Sequence, residues 1–73
     1  MRVIVTGNLG TYQAGQVLET ESDIVAYYRV VLNEGGSDDG ISDEQILEAI
    51  KLYPGDGEDV EVQRIEALEK AAA

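Results

Sequence analysis

The 73-residue sequence contains no cysteine, histidine, tryptophan or phenylalanine. Without cysteine the chain can form neither a disulfide nor a thiolate metal site. Without histidine it lacks the side chain that general acid–base catalysis uses most often near neutral pH. The aromatic side chains are all tyrosines: Tyr12, Tyr27, Tyr28 and Tyr53. A core built from this inventory is small, and we expect a stability of only a few kcal/mol, roughly what short domains reach.

Long apolar runs are also missing. No run approaches the roughly 18 residues that a membrane span needs. Met1 and Arg2 precede only three apolar residues, which is short of the apolar region of a signal peptide. We therefore expect one small cytoplasmic domain over residues 1–73, without membrane attachment, and a disordered tail at residues 70–73.

The charge is unevenly distributed. Fifteen carboxylates and five cations give a net charge of −10. Residues 34–61 carry ten carboxylates and only Lys51 as a cation, a net −9, whereas residues 1–33 sum to −1 and residues 62–73 to zero. An anionic surface repels phosphate backbones and attracts basic surfaces. The sequence therefore predicts no direct binding to duplex nucleic acid and favours a basic protein partner.

The N-terminal third predicts a β-hairpin followed by a helix. Residues 2–6 and 16–19 have strand propensity, and a glycine-containing loop too long to determine the register joins them. Ser22 is the predicted N-cap of the first helix, and Gly35 suits the left-handed conformation that follows a helix end.

Ser42 and Gln45 have the spacing of a capping box and open a second helix, which Pro54 ends. Residues 60–65 alternate as a strand does, although Ile65 and Leu68 have helical spacing. The predicted fold class is α+β: an N-terminal β-hairpin, two helices, and either a short third strand, which we favour, or a frayed C-terminal helix. The predicted core comprises Ile4, Val17, Ile24, Tyr28, Val31, Leu32, Ile46 and Ile50.

Catalytic and metal-binding patterns are missing. No serine has a base at a recognisable spacing, and the many carboxylates make any single acidic pair uninformative. If Gly40 is the sixth position of an EF-hand loop, the twelfth is Ile46 where a glutamate is required. Gly7 and Gly10 fit neither a P-loop nor a dinucleotide fingerprint. We expect no enzyme activity, no metal and no cofactor.

Candidate contacts with a partner come from the N-terminal strands and the first helix: Val3, Val5, Tyr27, Arg29 and Val30. Tyrosine and arginine are common among the residues that dominate binding energy. Val30 and Leu52 lie off the apolar faces of their helices, and each either packs under a loop or contacts a partner. Carboxylates expected to steer a basic partner are Asp38, Asp39, Asp43, Glu44, Asp56, Glu58 and Asp59.

The opening segment MRVIVTGNLGTYQAGQVLETESDIVAYYRVV, in a short acidic chain, resembles the small early regulators of host RNA polymerase that lytic phages encode, those of Xanthomonas phages in particular. The resemblance implies a non-catalytic protein of the host bacterial cytoplasm that contacts the N-terminal region of the β′ subunit near the RNA exit channel. It also implies inhibition of sigma-dependent initiation and read-through of terminators. It assigns no binding residue position by position.

Two other functions stay open. Tyr12, Gly15 and Val17, followed by a helix, also resemble small modules encoded near phage head genes, which implies a structural or assembly protein. An acidic mimic of nucleic acid is the third hypothesis, although carboxylates clustered at glycine-rich loops are a poor match to a rigid charge array.

Overall fold

The computed structural model describes residues 2–36 and 40–72. Along the chain it has two short strands and three helices: β1 (Val3–Ile4), β2 (Val17–Leu18), α1 (Glu21–Glu34), α2 (Asp43–Leu52) and α3 (Glu58–Ala72). The predicted α+β class, with an N-terminal hairpin followed by helices, is confirmed.

The register of the hairpin determines which strand residues enter the core. β1 and β2 are antiparallel, with Val3 opposite Leu18 and Ile4 opposite Val17. Val3, Val5 and Leu18 are buried, whereas Ile4 is half-buried and Val17 is 46% exposed. The prediction that Ile4 and Val17 are core residues is therefore wrong for Val17 and only partly right for Ile4. A shift of one residue exchanges the two faces of a strand, and the long loop carried no signal to exclude that shift.

The loop between the strands is itself hydrogen-bonded. The amide of Val5 donates to the carbonyl of Gln16 at 2.9 Å, and the amide of Gly15 donates to the carbonyl of Val5 at 2.8 Å. At the tip, Leu9 and Tyr12 exchange two backbone hydrogen bonds around Gly10, which has a φ of 58°. A two-residue turn with glycine at its first central position tolerates this positive φ.

Helix α1 begins two residues earlier than predicted. The N-cap is Thr20, not Ser22, and its hydroxyl accepts a hydrogen bond from the amide of Asp23 at 3.2 Å. Both residues are good N-caps, and Thr20 places the carboxylates of Glu21 and Asp23 in the first turn, where the helix dipole favours them. The left-handed residue after the helix is Gly36, with φ 74°, not Gly35.

Helix α2 has the predicted boundaries. Ser42 and Gln45 form a reciprocal capping box, with N–O distances of 3.2 and 2.7 Å. The helix ends at Leu52, and Tyr53 leaves the helical region with φ −122° and ψ 76°. This is the expected effect of Pro54, which disfavours helical backbone at the preceding residue.

The third element is a helix, so the favoured strand at residues 60–65 is wrong. Glu61, Arg64 and Leu68 repeat at three- and four-residue intervals along one side of α3; Arg64 and Leu68 are buried and Glu61 is half-buried. Val62, whose alternation with Val60 indicated a strand, is 52% exposed. The helical spacing of the inward residues was not recognised in the sequence because two of them, Glu61 and Arg64, are charged. Residues 70–72, expected in a disordered tail, form the last turn of α3, and Ala73 lies outside the described residues.

The core lies between the inner face of the hairpin and the three helices. Three tyrosine rings form a chain of edge-to-face contacts, Tyr12 to Tyr27 at 5.2 Å and Tyr27 to Tyr28 at 5.4 Å between centroids. Such pairs contribute about 0.5–1.5 kcal/mol beyond area burial. The buried apolar residues are Val3, Val5, Leu18, Ile24, Tyr27, Tyr28, Leu32, Ile41, Ile46, Ala49, Ile50 and Leu68.

Candidate functional site

Three of the predicted partner contacts belong to the interior. Val3, Val5 and Tyr27 are each at most 2% exposed and lie in the hydrophobic core. Val3 and Val5 are buried because the hairpin register turns the odd-numbered positions inward. Tyr27 is buried because its hydroxyl is satisfied inside the molecule. These three predicted contact residues are therefore buried in the core and do not form an exposed surface.

Arg29 joins α1 to the start of α2. Its guanidinium donates to the carbonyl of Ile41 and to the carboxylate of Asp43, both at 2.6 Å. Val30, beside it, is half-buried. Arg29 therefore holds the segment that leads into α2, and the predicted binding patch on α1 loses its main charged member.

Five of the seven predicted steering carboxylates lie around the N-terminal ends of α2 and α3. Glu44, Glu58 and Asp59 are exposed. Asp43 is paired with Arg29, and Asp56 with Arg2 at 3.1 Å. The remaining two, Asp38 and Asp39, lie outside the described residues.

The arginines are engaged with other groups of the protein, whereas Lys51 and Lys70 are exposed. Arg64 is only 3% exposed, and its guanidinium donates to the hydroxyl of Tyr28 and the carbonyl of Gly55, both at 3.0 Å, and to the carbonyl of Tyr53 at 2.8 Å. Arg2 and Arg29 make the ion pairs described above. Burial of Arg64 removes one positive charge from the exterior, whereas each of the two ion pairs offsets one cation with one carboxylate and leaves the net charge unchanged.

A polar cluster inside the molecule joins the hairpin, α1 and α3. The Glu61 carboxylate accepts hydrogen bonds from the hydroxyl of Thr6 at 2.6 Å and from the hydroxyl of Tyr27 at 2.5 Å. Burial, and after it the adjacent Glu61 carboxylate, raises the pKa of the Tyr27 hydroxyl well above its ordinary value. Burial also raises the pKa of Tyr28, and the guanidinium of Arg64 partly offsets that effect. All these groups act as structural hydrogen-bond partners.

Sequence reasoning missed both Glu61 and Arg64. Glu61 was counted as one acid in an anionic segment, and Arg64 as one of two cations that balance the last residues. The signal available was the spacing of Glu61, Arg64 and Leu68, which follows one helix face. Charged residues on that face concealed it.

An open cleft of about 380 Å³ lies between α2 and α3. Leu52, Ala67, Leu68 and Ala71 are among its apolar lining residues, and the lining also contains Glu44 and Glu48. Leu52 is 64% exposed, the highest value among the large apolar side chains of the described residues. Of the two hypotheses for Leu52, packing under a loop is therefore wrong.

Other exposed apolar side chains are isolated from the cleft. Val17 lies on the outer face of the hairpin and Val62 on α3, and neither lines the cleft.

The described residues contain no helix with the length and apolar character of a membrane span. Within the same residues, no group of three or more acidic, histidine or cysteine side chains has an arrangement that could hold a metal ion.

Comparison with known proteins adds no relative: no protein-family model, curated protein or solved structure matches this chain. The resemblance to phage regulators of RNA polymerase stays a prediction.

Proposed function

We propose that this chain is a non-catalytic regulator that docks on bacterial RNA polymerase, inhibits sigma-dependent initiation and promotes read-through of terminators. The observation that carries the proposal is the anionic exterior. Residues 34–61 have a net charge of −9, while Arg2, Arg29 and Arg64 are engaged with groups of the protein itself. A surface of this kind attracts a basic protein surface and accelerates association with it.

Polymerase suits such a surface for a general reason. The channels of a polymerase hold nucleic-acid backbones, and the affinity for phosphates comes mainly from lysine and arginine. The more specific choice, the N-terminal region of the β′ subunit near the RNA exit channel, follows from the sequence resemblance, as does action in the host bacterial cytoplasm. Occlusion of a polymerase surface requires binding residues and no catalytic group.

The residues proposed for docking differ from those predicted from sequence. Because Val3, Val5 and Tyr27 are buried, contact with polymerase falls to the exposed carboxylates Glu44, Glu58 and Asp59 and to neighbouring apolar surface. The paired residues Asp43 and Asp56 contribute less, because a partner cation offsets each charge.

The test is transcription in a purified system with a sigma-containing polymerase, a promoter and a downstream terminator. Added before promoter binding, the protein should reduce the yield of transcripts; added to elongating complexes, it should raise the fraction that passes the terminator. The double variant Glu58→Gln/Asp59→Asn should need about threefold more protein for either effect, because loss of two exposed charges slows association. Unchanged initiation and termination at saturating protein would contradict the proposal.

A further inference from the structure

The cleft between α2 and α3 combines an apolar floor with an acidic wall. Leu52 and Ala49 on α2 and Ala67, Leu68 and Ala71 on α3 contribute apolar surface. The small side chains of the two α3 alanines leave the cleft open along that helix. At about 380 Å³ it is large enough for several side chains of a bound segment and falls in the size range of functional binding clefts.

The acidic side chains of the cleft determine which charge a bound segment must carry. Glu44 and Glu48 are exposed residues of α2 that line the cleft, and they lie four residues apart, hence about one helical turn along the same side. Among the described residues, the lining of the cleft contains no lysine or arginine. A purely apolar segment would remove water from both carboxylates without offering them a partner, which is costly. A segment whose lysine or arginine side chains lie opposite the two carboxylates would form ion pairs with them.

The same two carboxylates exclude other occupants. A second copy of this chain docked by the same face would bring like charges together across the interface, which is unfavourable. Nucleic acid is repelled for the same reason. The remaining class is a basic protein segment.

We propose that this cleft binds a cationic amphipathic helix of a protein partner, with apolar side chains one turn apart on the floor and lysine or arginine facing Glu44 and Glu48. This is the helix-in-groove mode of recognition, in which anchors repeat at three- or four-residue intervals. The inference rests on the proposed function for the identity of the partner and adds to it the site and the form of the contact. The bound helix lies along the crevice between α2 and α3 and covers Leu52.

The probe is a synthetic peptide of roughly four helical turns with leucines on one face and lysines on the others, titrated into the labelled protein and followed by NMR. A scrambled peptide of the same composition has equal charge and no apolar face. The largest amide shifts should fall on the residues that line the cleft, and the scrambled peptide should bind about tenfold more weakly, because it cannot bury its leucines.

Two matched pairs of variants separate the cleft from general acidity. Leu52→Gln should weaken binding of the peptide about tenfold, whereas Val62→Gln, at a comparably exposed residue outside the cleft, should change it less than about twofold. Glu44→Gln/Glu48→Gln should weaken it about fivefold, and Glu58→Gln/Asp59→Asn, with the same change of net charge, less than half as much. Circular dichroism establishes that each variant is folded.

Amide shifts centred on the first turn of α3, or equal effects of Leu52→Gln and Val62→Gln, would overturn the inference. Repeating the NMR titration with purified bacterial RNA polymerase in place of the peptide, and following loss of amide signal, separates the two proposals. Peptide binding in the cleft without any binding to polymerase supports the inference and contradicts the proposed function. Polymerase binding that leaves the cleft amides unaffected supports the proposed function and contradicts the inference.

Discussion

At the scale of single residues, Glu61 and its two hydroxyl donors connect segments that are distant in sequence. Thr6 follows β1, Tyr27 lies on α1 and Glu61 on α3, and the two hydrogen bonds bring all three together. Removing even part of a carboxylate from water is costly unless hydrogen bonds replace the lost water. Here two hydroxyl groups do so, and among the described residues every buried side-chain nitrogen or oxygen has a partner.

The raised pKa values of Tyr27 and Tyr28 predict alkaline unfolding. In the unfolded chain a tyrosine ionises near pH 10, whereas burial keeps both hydroxyl groups protonated to higher pH in the folded state. The unfolded state therefore loses protons first, so stability is retained below about pH 10 and falls above it.

Urea denaturation between about pH 8 and about pH 11 measures this decline. Tyr27→Phe serves as the comparison, because it removes one ionisable hydroxyl and keeps the ring. The variant should be less stable near neutral pH but should lose stability more slowly above about pH 10. Equal slopes for the parent and Tyr27→Phe would show that Tyr27 is not held protonated.

At the scale of elements, Arg64 attaches α3 to the rest of the fold. Its guanidinium contacts the hydroxyl of Tyr28 on α1 and two backbone carbonyls, of Tyr53 and Gly55, just after α2. Arginine supplies several donors in a planar arrangement, which lysine does not reproduce. The position of α3 thus depends on one side chain as well as on the apolar contact of Leu68.

Arg64→Lys should therefore destabilise the protein by about 2–3 kcal/mol, because acceptors buried around the guanidinium lose their donors. Hydrogen exchange measured amide by amide should show the largest loss of protection in α3. Lys70→Arg, on the exposed side of the same helix, is the control and should change stability by less than about 0.5 kcal/mol. Uniform loss of protection across α1, α2 and α3 would mean that α3 does not depend locally on Arg64.

Local signals in the sequence were sufficient where the deciding residues are close together. Ser42 with Gln45, and Pro54 after Tyr53, determine the ends of α2 through short-range hydrogen bonds and steric restriction. The apolar spacing of Ile24, Tyr28 and Leu32 likewise identified the buried face of α1.

Local sequence signals did not predict the features that depend on contacts between residues far apart in the sequence. The register of the hairpin depends on which face meets the helices, so Val3 and Leu18 were exchanged with Ile4 and Val17. The type of the third element depends on partners for Glu61 and Arg64 that lie far away in sequence. The candidate cleft depends on the packing of α2 on α3, and only the off-face position of Leu52 indicated it beforehand.

At the scale of the whole molecule, a net charge of −10 on a 73-residue chain opposes compaction and favours basic partners. Six glycines in the described residues adopt positive φ, which permits tight turns in the hairpin loop and in the connections between the helices. The fold thus buries Arg64, pairs Arg2 and Arg29 with carboxylates, and leaves other carboxylates exposed. Salt screens such a surface within about 10 Å at 0.1 M, so association with any basic partner depends on ionic strength.

The most direct test of the proposed function is the rate and affinity of binding of the purified protein to immobilised bacterial RNA polymerase, measured from about 50 mM to about 300 mM salt. We predict saturable binding whose association rate falls about tenfold over this range, while dissociation changes little. Glu58→Gln/Asp59→Asn should show slower association and a weaker dependence on salt. No binding at low salt, or association that is indifferent to salt, would contradict the account of an acidic surface that docks on polymerase.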